Sequence, residues 1–313
     1  MSVPNATSLL NGTLGALEIS LMVELVLYGV TTIQTYIYFS RGDRDPLFFR
    51  CLVGLLWLMD TLHQIFFCHA IYTYTVLEFG NVLGPNTETW SIIANIPLNP
   101  SMEAIARGMF CYRIWKFSGR NWLVVGLIML CSLTELAGAV VFTVRNVLNP
   151  QWSSEHAFSD EFYCMVAGSV VADALVALSQ VTLLRKHHSE FPKTNSVLHS
   201  LMLYSINTGL LTSLCALIMC ILWVTMPTNL VYVGFFAALP TLLINALLAT
   251  LNARRDLRDM ITGNPDSLSF PLSDTAQSSH LVSQSMGNDP VQESAGAADD
   301  SAEFKLDRSD QVV

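Results

Sequence analysis

Five carboxylic acids, Glu24, Asp60, Glu103, Glu135 and Asp173, stand in stretches of sequence otherwise fit for hydrocarbon. One such stretch, residues 57–70, reads WLMDTLHQIFFCHA and puts Asp60 and His63 three apart, on one face of a helix. A charged side chain at the centre of a bilayer costs about 2.5–3.5 kcal/mol to insert. Acids so placed must face a bundle interior or a hydrated cavity. There they either hold a proton, a cation or an amine ligand, or act as hydrogen-bonding glue between helices. Both readings stand at this level.

Arg107 is the only cation deep in an apolar stretch, and it follows Glu103 by one turn in the favourable acid-first order. That spacing predicts a pair that satisfies itself, or an arginine that reaches another helix. The remaining acids have no basic partner in sequence, which leaves His63, Ser205, Asn207 and Thr208 as hydrogen-bonding candidates. His63 is the expected partner of Asp60. Together Glu24, Asp60, His63, Glu103, Arg107, Glu135, Asp173, Asn207 and Asn245 make up a candidate binding layer at mid-membrane.

Several chemistries lack their residues. No apolar stretch holds a lysine for a retinal Schiff base. His63 and His69 are six apart, so at 3.6 residues per turn they point about 120° from each other and do not form a two-histidine metal site. No Gly-rich phosphate loop and no Gly-x-Ser-x-Gly elbow is present. The expectation is a protein that is not an enzyme, with no cofactor, no metal and no nucleic-acid partner.

The elements that must position these residues are membrane helices. The chain has 313 residues, 52% hydrophobic and only 13% charged, where a soluble domain carries roughly a quarter charged residues. Seven apolar runs approach or exceed the ~20 residues that cross a bilayer, at about 13–39, 47–71, 91–115, 122–144, 162–184, 197–225 and 230–251. The fold class expected is therefore all-α, a seven-transmembrane helix bundle. The third run is the weakest, because it contains Pro97, Pro100, Glu103 and Arg107. The two prolines predict a disrupted outer half of that helix.

Connections on one side carry twelve Lys and Arg: Arg41, Arg44 and Arg50; Arg113, Lys116 and Arg120; Arg185, Lys186 and Lys193; and Arg254, Arg255 and Arg258. The other side has only Arg145. Basic loops stay in the cytosol, which predicts the N-terminus outside and the C-terminus inside. Dropping the third span would put basic clusters on both sides.

Residues 1–12 then form a short outer N-terminus, 13–259 the transmembrane domain and 260–313 a cytosolic tail. Sequons at Asn5 and Asn11 lie where luminal glycosylation could reach them. No cleaved signal peptide is read, and the first span would serve as signal anchor. The tail holds nine acids against Lys305 and Arg308, is rich in Ser and lacks apolar periodicity, so it is expected to be disordered; docking of a cytosolic partner and a purely solubilising role both stay open for it. Residues 252–261 read as a short interfacial helix or as a plain stop-transfer cluster. Seven scattered cysteines are no disulfide framework; a Cys68–Cys164 bridge is open, as is burial of all seven as small apolar groups.

Receptor topology is thus suggested, but the marks of rhodopsin-like receptors are missing. The third span ends Phe110-Cys-Tyr-Arg113, and the seventh has Pro240 and Asn245 without Asn-Pro-x-x-Tyr. A different set of segments runs in order: Gly29-Val-Thr-Thr-Ile-Gln34, Asp60-Thr-Leu-His63, Tyr112-Arg113-Ile-Trp-Lys116 and Leu251-Asn252-Ala-Arg254. Over residues 13–260 these resemble a large basidiomycete (agaricomycete) family of membrane proteins with a conserved domain of unknown function. The resemblance implies a fungal seven-helix integral membrane protein; it implies no activity and no site residues.

The functional expectation is a receptor-like, ligand-sensing protein in contact with membrane lipids, its ligand unknown. The alternative is a proton- or cation-coupled transporter using the midplane carboxylates. No internal repeat relates the first three spans to the last three. Plasma membrane and endomembrane are equally compatible with these features.

Overall fold

A computed structural model describes residues 11–40, 45–78, 87–119, 122–152, 159–187, 192–226 and 229–262; the side chains of 11, 117, 184–208 and 254–262 are outside that description. Among the described residues, seven long α-helices follow one another: α1 (Ala16–Ser40), α2 (Leu47–Tyr72), α3 (Trp90–Phe117), α4 (Trp122–Leu148), α5 (Ser159–His187), α6 (Pro192–Thr225) and α7 (Val231–Thr262). Single π-helical segments, Asn11–Gly15 and Thr73–Leu77, precede α1 and extend α2. No strand is present among the described residues beyond an isolated bridge between Thr87 and Gln151.

Each helix packs on the next, and α7 returns to α1, which closes the ring. α3 additionally contacts α5 and α7, so it stands at the centre of the bundle. This placement explains its polar sequence. Helices α1, α2, α4, α5 and α7 are long and apolar enough to cross a membrane, and α6 adds the apolar segment Gly209–Thr225. α3, with Asn95, Asn99, Glu103 and Arg107, is not among the five, because its surroundings are other helices.

The solvent pattern is inverted relative to a soluble protein. Leu123 is 77% exposed and Val26 68%, whereas Glu24, Asp60 and Arg107 are fully buried. Apolar faces turned outward over a polar interior, on helices of this length, suggest a membrane protein. The inward side chains fall into two apolar cores. One holds Leu17, Phe67, Ile96, Phe142, Phe162 and Trp223. The other holds Tyr38, Leu56, Phe110, Ile128, Leu183 and Leu247. Along α1, α2, α4, α5 and α7 respectively, Glu24, Asp60, Glu135, Asp173 and Thr241 come between the members of these two cores.

One sequence expectation requires correction, and one open alternative is answered. α3 is continuous through Pro97 and Pro100. The missing N–H groups are tolerated within a packed bundle, and Ser101 donates to the Pro97 carbonyl at 2.7 Å. The cysteines are all free thiols, Cys68 half-buried and Cys164 exposed, so no bridge joins them. α7 runs without a break to Thr262, through the basic segment that followed the last apolar run. Asn5, the side chain of Asn11 and the acidic tail beyond 262 lie outside the described residues.

Candidate functional site

The five acids separate into two centres with different electrostatics. The first is built on Arg107, which α3 carries through the middle of the bundle. Its Nη2 donates to Glu103 Oε2 at 2.5 Å and to Ser169 Oγ at 2.7 Å, and its Nε donates to Asp173 Oδ1 at 2.8 Å. Its Nη1 donates to Glu135. The Thr212 hydroxyl, from α6, completes the shell by donating to Asp173 Oδ2 at 2.7 Å. One guanidinium thus serves three carboxyl groups on three helices, a use of its planar fork of donors that an ammonium could not match.

Local packing makes this convergence possible. A Cβ on Gly168 would lie 3.0 Å from both the Cys131 carbonyl oxygen and the Glu135 nitrogen, and Gly138 meets α5 backbone similarly. Small residues at these contacts let α4 and α5 approach closely, which brings Glu135 to Arg107.

The second centre has no such cation. Glu24 Oε2 accepts from Gln64 Nε2 at 2.8 Å and from the Thr241 hydroxyl at 3.4 Å, and that same hydroxyl reaches Asp60 Oδ1 at 2.9 Å. Among the described residues, Glu24 Oε1 and Asp60 Oδ2 are buried without a hydrogen-bond partner. No Arg or Lys pairs with either acid among the described residues; His63 Nε2 lies 3.8 Å from Glu24 Oε2. His63 is therefore not the partner of Asp60 that the sequence spacing predicts. Its Nδ1 donates instead to Asn95 Oδ1 at 3.2 Å, and Asp60 takes its bond from α7. Asn245 ties α7 to α1, donating to the Leu27 carbonyl at 3.1 Å and accepting from Thr31 at 2.9 Å. The Asn207 side chain is outside the described residues, as are those of Ser205 and Thr208.

Because Asp60 has no cationic partner among the described residues, Asp60→Asn should leave the protein as stable as wild type or more so, since the amide oxygen still accepts from Thr241. Thermal unfolding of the purified variant in detergent checks this. A large fall in Tm would show that the carboxylate makes a stabilising contact beyond Thr241.

A pocket opens beside the second centre. The free space within it and before its mouth, open solvent included, comes to about 510 Å³, and its walls include Phe67, Phe142, Phe162, Trp223 and Tyr232. Phe162 stacks on Trp223 with ring centroids 4.0 Å apart, and Tyr232 meets Trp223 edge-on at 4.8 Å. The polar residues His63, Asn95 and Asn99 line it as well. Four orphaned polar atoms belong to residues of this lining: His63 Nε2, Asn95 Nδ2, Asn99 Oδ1 and Trp152 Nε1 are buried without a hydrogen-bond partner among the described residues.

The sequence reading missed Gln64, Asn95, Asn99, Ser169, Thr212 and Thr241. Two signals were legible. Asn95 and Asn99 are four apart on the most polar helix, and Ser169 is four before Asp173. The others are single polar residues in apolar runs and carry no such mark.

Fold and site together define an α-helical bundle with an apolar exterior, a buried arginine-centred cluster, and a pocket beside the second pair of acids. Residues 169–256 match the model of a family described as "Family of unknown function (DUF6534)". The match covers the second half of α5, α6 and most of α7, and so includes Asp173, Thr212, Thr241 and Asn245. The motifs in the first three helices that suggested the wider resemblance lie outside it. No curated protein and no solved structure matches the chain.

Proposed function

We propose that this protein is a receptor-like membrane protein that senses a small uncharged molecule, with seven spans, an outer N-terminus and a cytosolic C-terminus. The observation that carries this reading is the pocket. Aromatic walls ending in a few convergent polar groups are the usual make-up of a small-molecule site. The pocket lies toward the end of the bundle where Trp152 follows α4 and Tyr232 begins α7, opposite the end that carries Arg113 and the Arg254–Arg255 pair. With the basic connections in the cytosol, it opens to the outside.

The polar end of the pocket also suggests how occupancy is communicated. His63 lines the pocket, bonds Asn95 of α3 and stands 3.8 Å from Glu24 of α1. Glu24 in turn shares the Thr241 hydroxyl of α7 with Asp60. A ligand that shifts His63 therefore biases contacts among α1, α2, α3 and α7, which is the differential contact that sensing needs.

The test is thermal unfolding of the purified full chain against a library of small uncharged compounds. At least one compound should raise Tm by several degrees in wild type, through mass action on the folded state, and by nothing in Ala237→Phe, where a ring fills the pocket. No stabilising compound, or equal stabilisation of Ala237→Phe and of a second filled variant, Val233→Phe, would remove the pocket from the account.

One observation favours the alternative, proton- or cation-coupled transport: two buried acids share a hydroxyl and have no Arg or Lys partner among the described residues. Flux through Asp60 discriminates the two readings.

A further inference from the structure

We infer that the molecule taken by the pocket is an uncharged, largely apolar alcohol, its hydroxyl seated between Asn95 and Asn99. This rests on the receptor-like reading and narrows it to a ligand class. No Asp, Glu, Lys or Arg lines the pocket, so an ionised ligand group would be buried without a counter-charge. Glu24, whose carboxylate lies 3.8 Å from the lining residue His63, is also met by Gln64 and Thr241.

The two asparagines define the ligand's polar group. Each has half of its amide committed. Asn95 Oδ1 accepts from His63 Nδ1 at 3.2 Å, and Asn99 Nδ2 donates to the Phe236 carbonyl at 3.3 Å. With those bonds made, one donor, Asn95 Nδ2, and one acceptor, Asn99 Oδ1, stay unmet one turn apart on α3, beside the unmet His63 Nε2 and Trp152 Nε1 of the same lining, among the described residues. Asn95 and Asn99 are 4% and 0% exposed.

A hydroxyl donates one hydrogen bond while accepting others, so a single ligand O–H answers both atoms. An ether or ketone can answer only Asn95 and leaves Asn99 unmet. A hydrocarbon leaves both unmet. Each bond forgone at a buried polar group lowers affinity by roughly tenfold or more. The remainder of the ligand meets Phe142, Phe162, Trp223 and Tyr232, whose ring surfaces suit an apolar or aromatic body.

The experiment measures binding to the purified full chain of five probes with one common body: 2-phenylethanol, its methyl ether, ethylbenzene, 2-phenylethylamine and phenylacetate. The alcohol should bind at least tenfold more tightly than the ether and more tightly still than ethylbenzene, with the two charged probes weakest. Asn99→Leu should erase the preference for alcohol over ether, and its unliganded Tm should show that it is folded. The inference is overturned if ether and alcohol bind equally, as they would were the asparagines met by water alone, or if the preference survives in both Asn99→Leu and Asn95→Leu. A charged probe binding best, with sensitivity to Ala237→Phe, would overturn the alcohol class and leave the pocket standing. No binding by any probe, beside library compounds that do bind but are not alcohols, also sinks the alcohol class alone. No binding by any compound at all would sink both.

Discussion

Arg107→Met should destabilise the bundle by about 3–5 kcal/mol, the penalty for removing one partner from a buried ionic cluster. Arg107 is fully buried, and its guanidinium is the shared donor for Glu103, Glu135, Asp173 and Ser169. Methionine fills much of the same volume and answers none of those acceptors. Arg107→Lys should fall between wild type and Met, because a point charge cannot satisfy carboxyl groups arriving from α3, α4 and α5 together. The measurement is thermal unfolding in detergent with a count of the monodisperse fraction. Adding Glu103→Gln, Glu135→Gln and Asp173→Asn to Arg107→Met should recover most of the loss, since the acids are what the arginine neutralises. An unchanged Tm in Arg107→Met would mean that the cluster does not hold the helices together.

Gly168→Ala should cost about 1–3 kcal/mol, an overpacking penalty at a helix contact that cannot yield cheaply. The added methyl would sit 3.0 Å from the Cys131 carbonyl oxygen, 3.0 Å from the Glu135 nitrogen and 3.1 Å from Glu135 Cβ. All three belong to α4 backbone or to the base of a side chain, so the helices themselves must part. The displaced residue is Glu135, and the neighbour of Gly168 is Ser169, both bonded to Arg107. The effects of Gly168→Ala and Arg107→Met should therefore be non-additive in a double-mutant cycle. Gly126→Ala is the control: a methyl there would meet nothing within 4 Å, so it should be neutral or slightly stabilising through helix propensity alone.

Much of the architecture could be read from hydropathy. Apolar runs at about 47–71 and 122–144 correspond to α2 at Leu47–Tyr72 and α4 at Trp122–Leu148, because exposed faces in such a bundle must be apolar whatever the interior does. The centrality of α3 was written in its polarity, which made it look like the poorest span. What sequence could not show was partnership across helices. The i, i+4 relation of Glu103 and Arg107 was visible, but the arrival of Glu135 and Asp173 depends on close α4–α5 packing at Gly138 and Gly168. For the same reason Asp60 and His63 looked like a pair, although each bonds a different helix. The pocket was invisible because Phe67, Phe142, Phe162, Trp223 and Tyr232 come from five helices, each ring lying in an ordinary apolar run.

The split of five acids into an arginine-centred cluster and a pair without arginine frames the functional question. The first is built as a permanent structural node, with every helix from α3 to α6 contributing a group. The second adjoins the pocket and keeps oxygens unmet among the described residues, so any exchange of ligand or ion concerns it first. Sensing requires only that His63 and its neighbours respond to occupancy, whereas transport requires that Asp60 and Glu24 load and unload.

The central claim, sensing as opposed to transport, is tested most directly in proteoliposomes carrying an imposed pH gradient. With a pocket compound identified by thermal shift present on one side, the account predicts no proton-linked flux in wild type and no difference in Asp60→Asn. Proton-linked flux that disappears in Asp60→Asn, with that variant folded and still binding the compound, would contradict it.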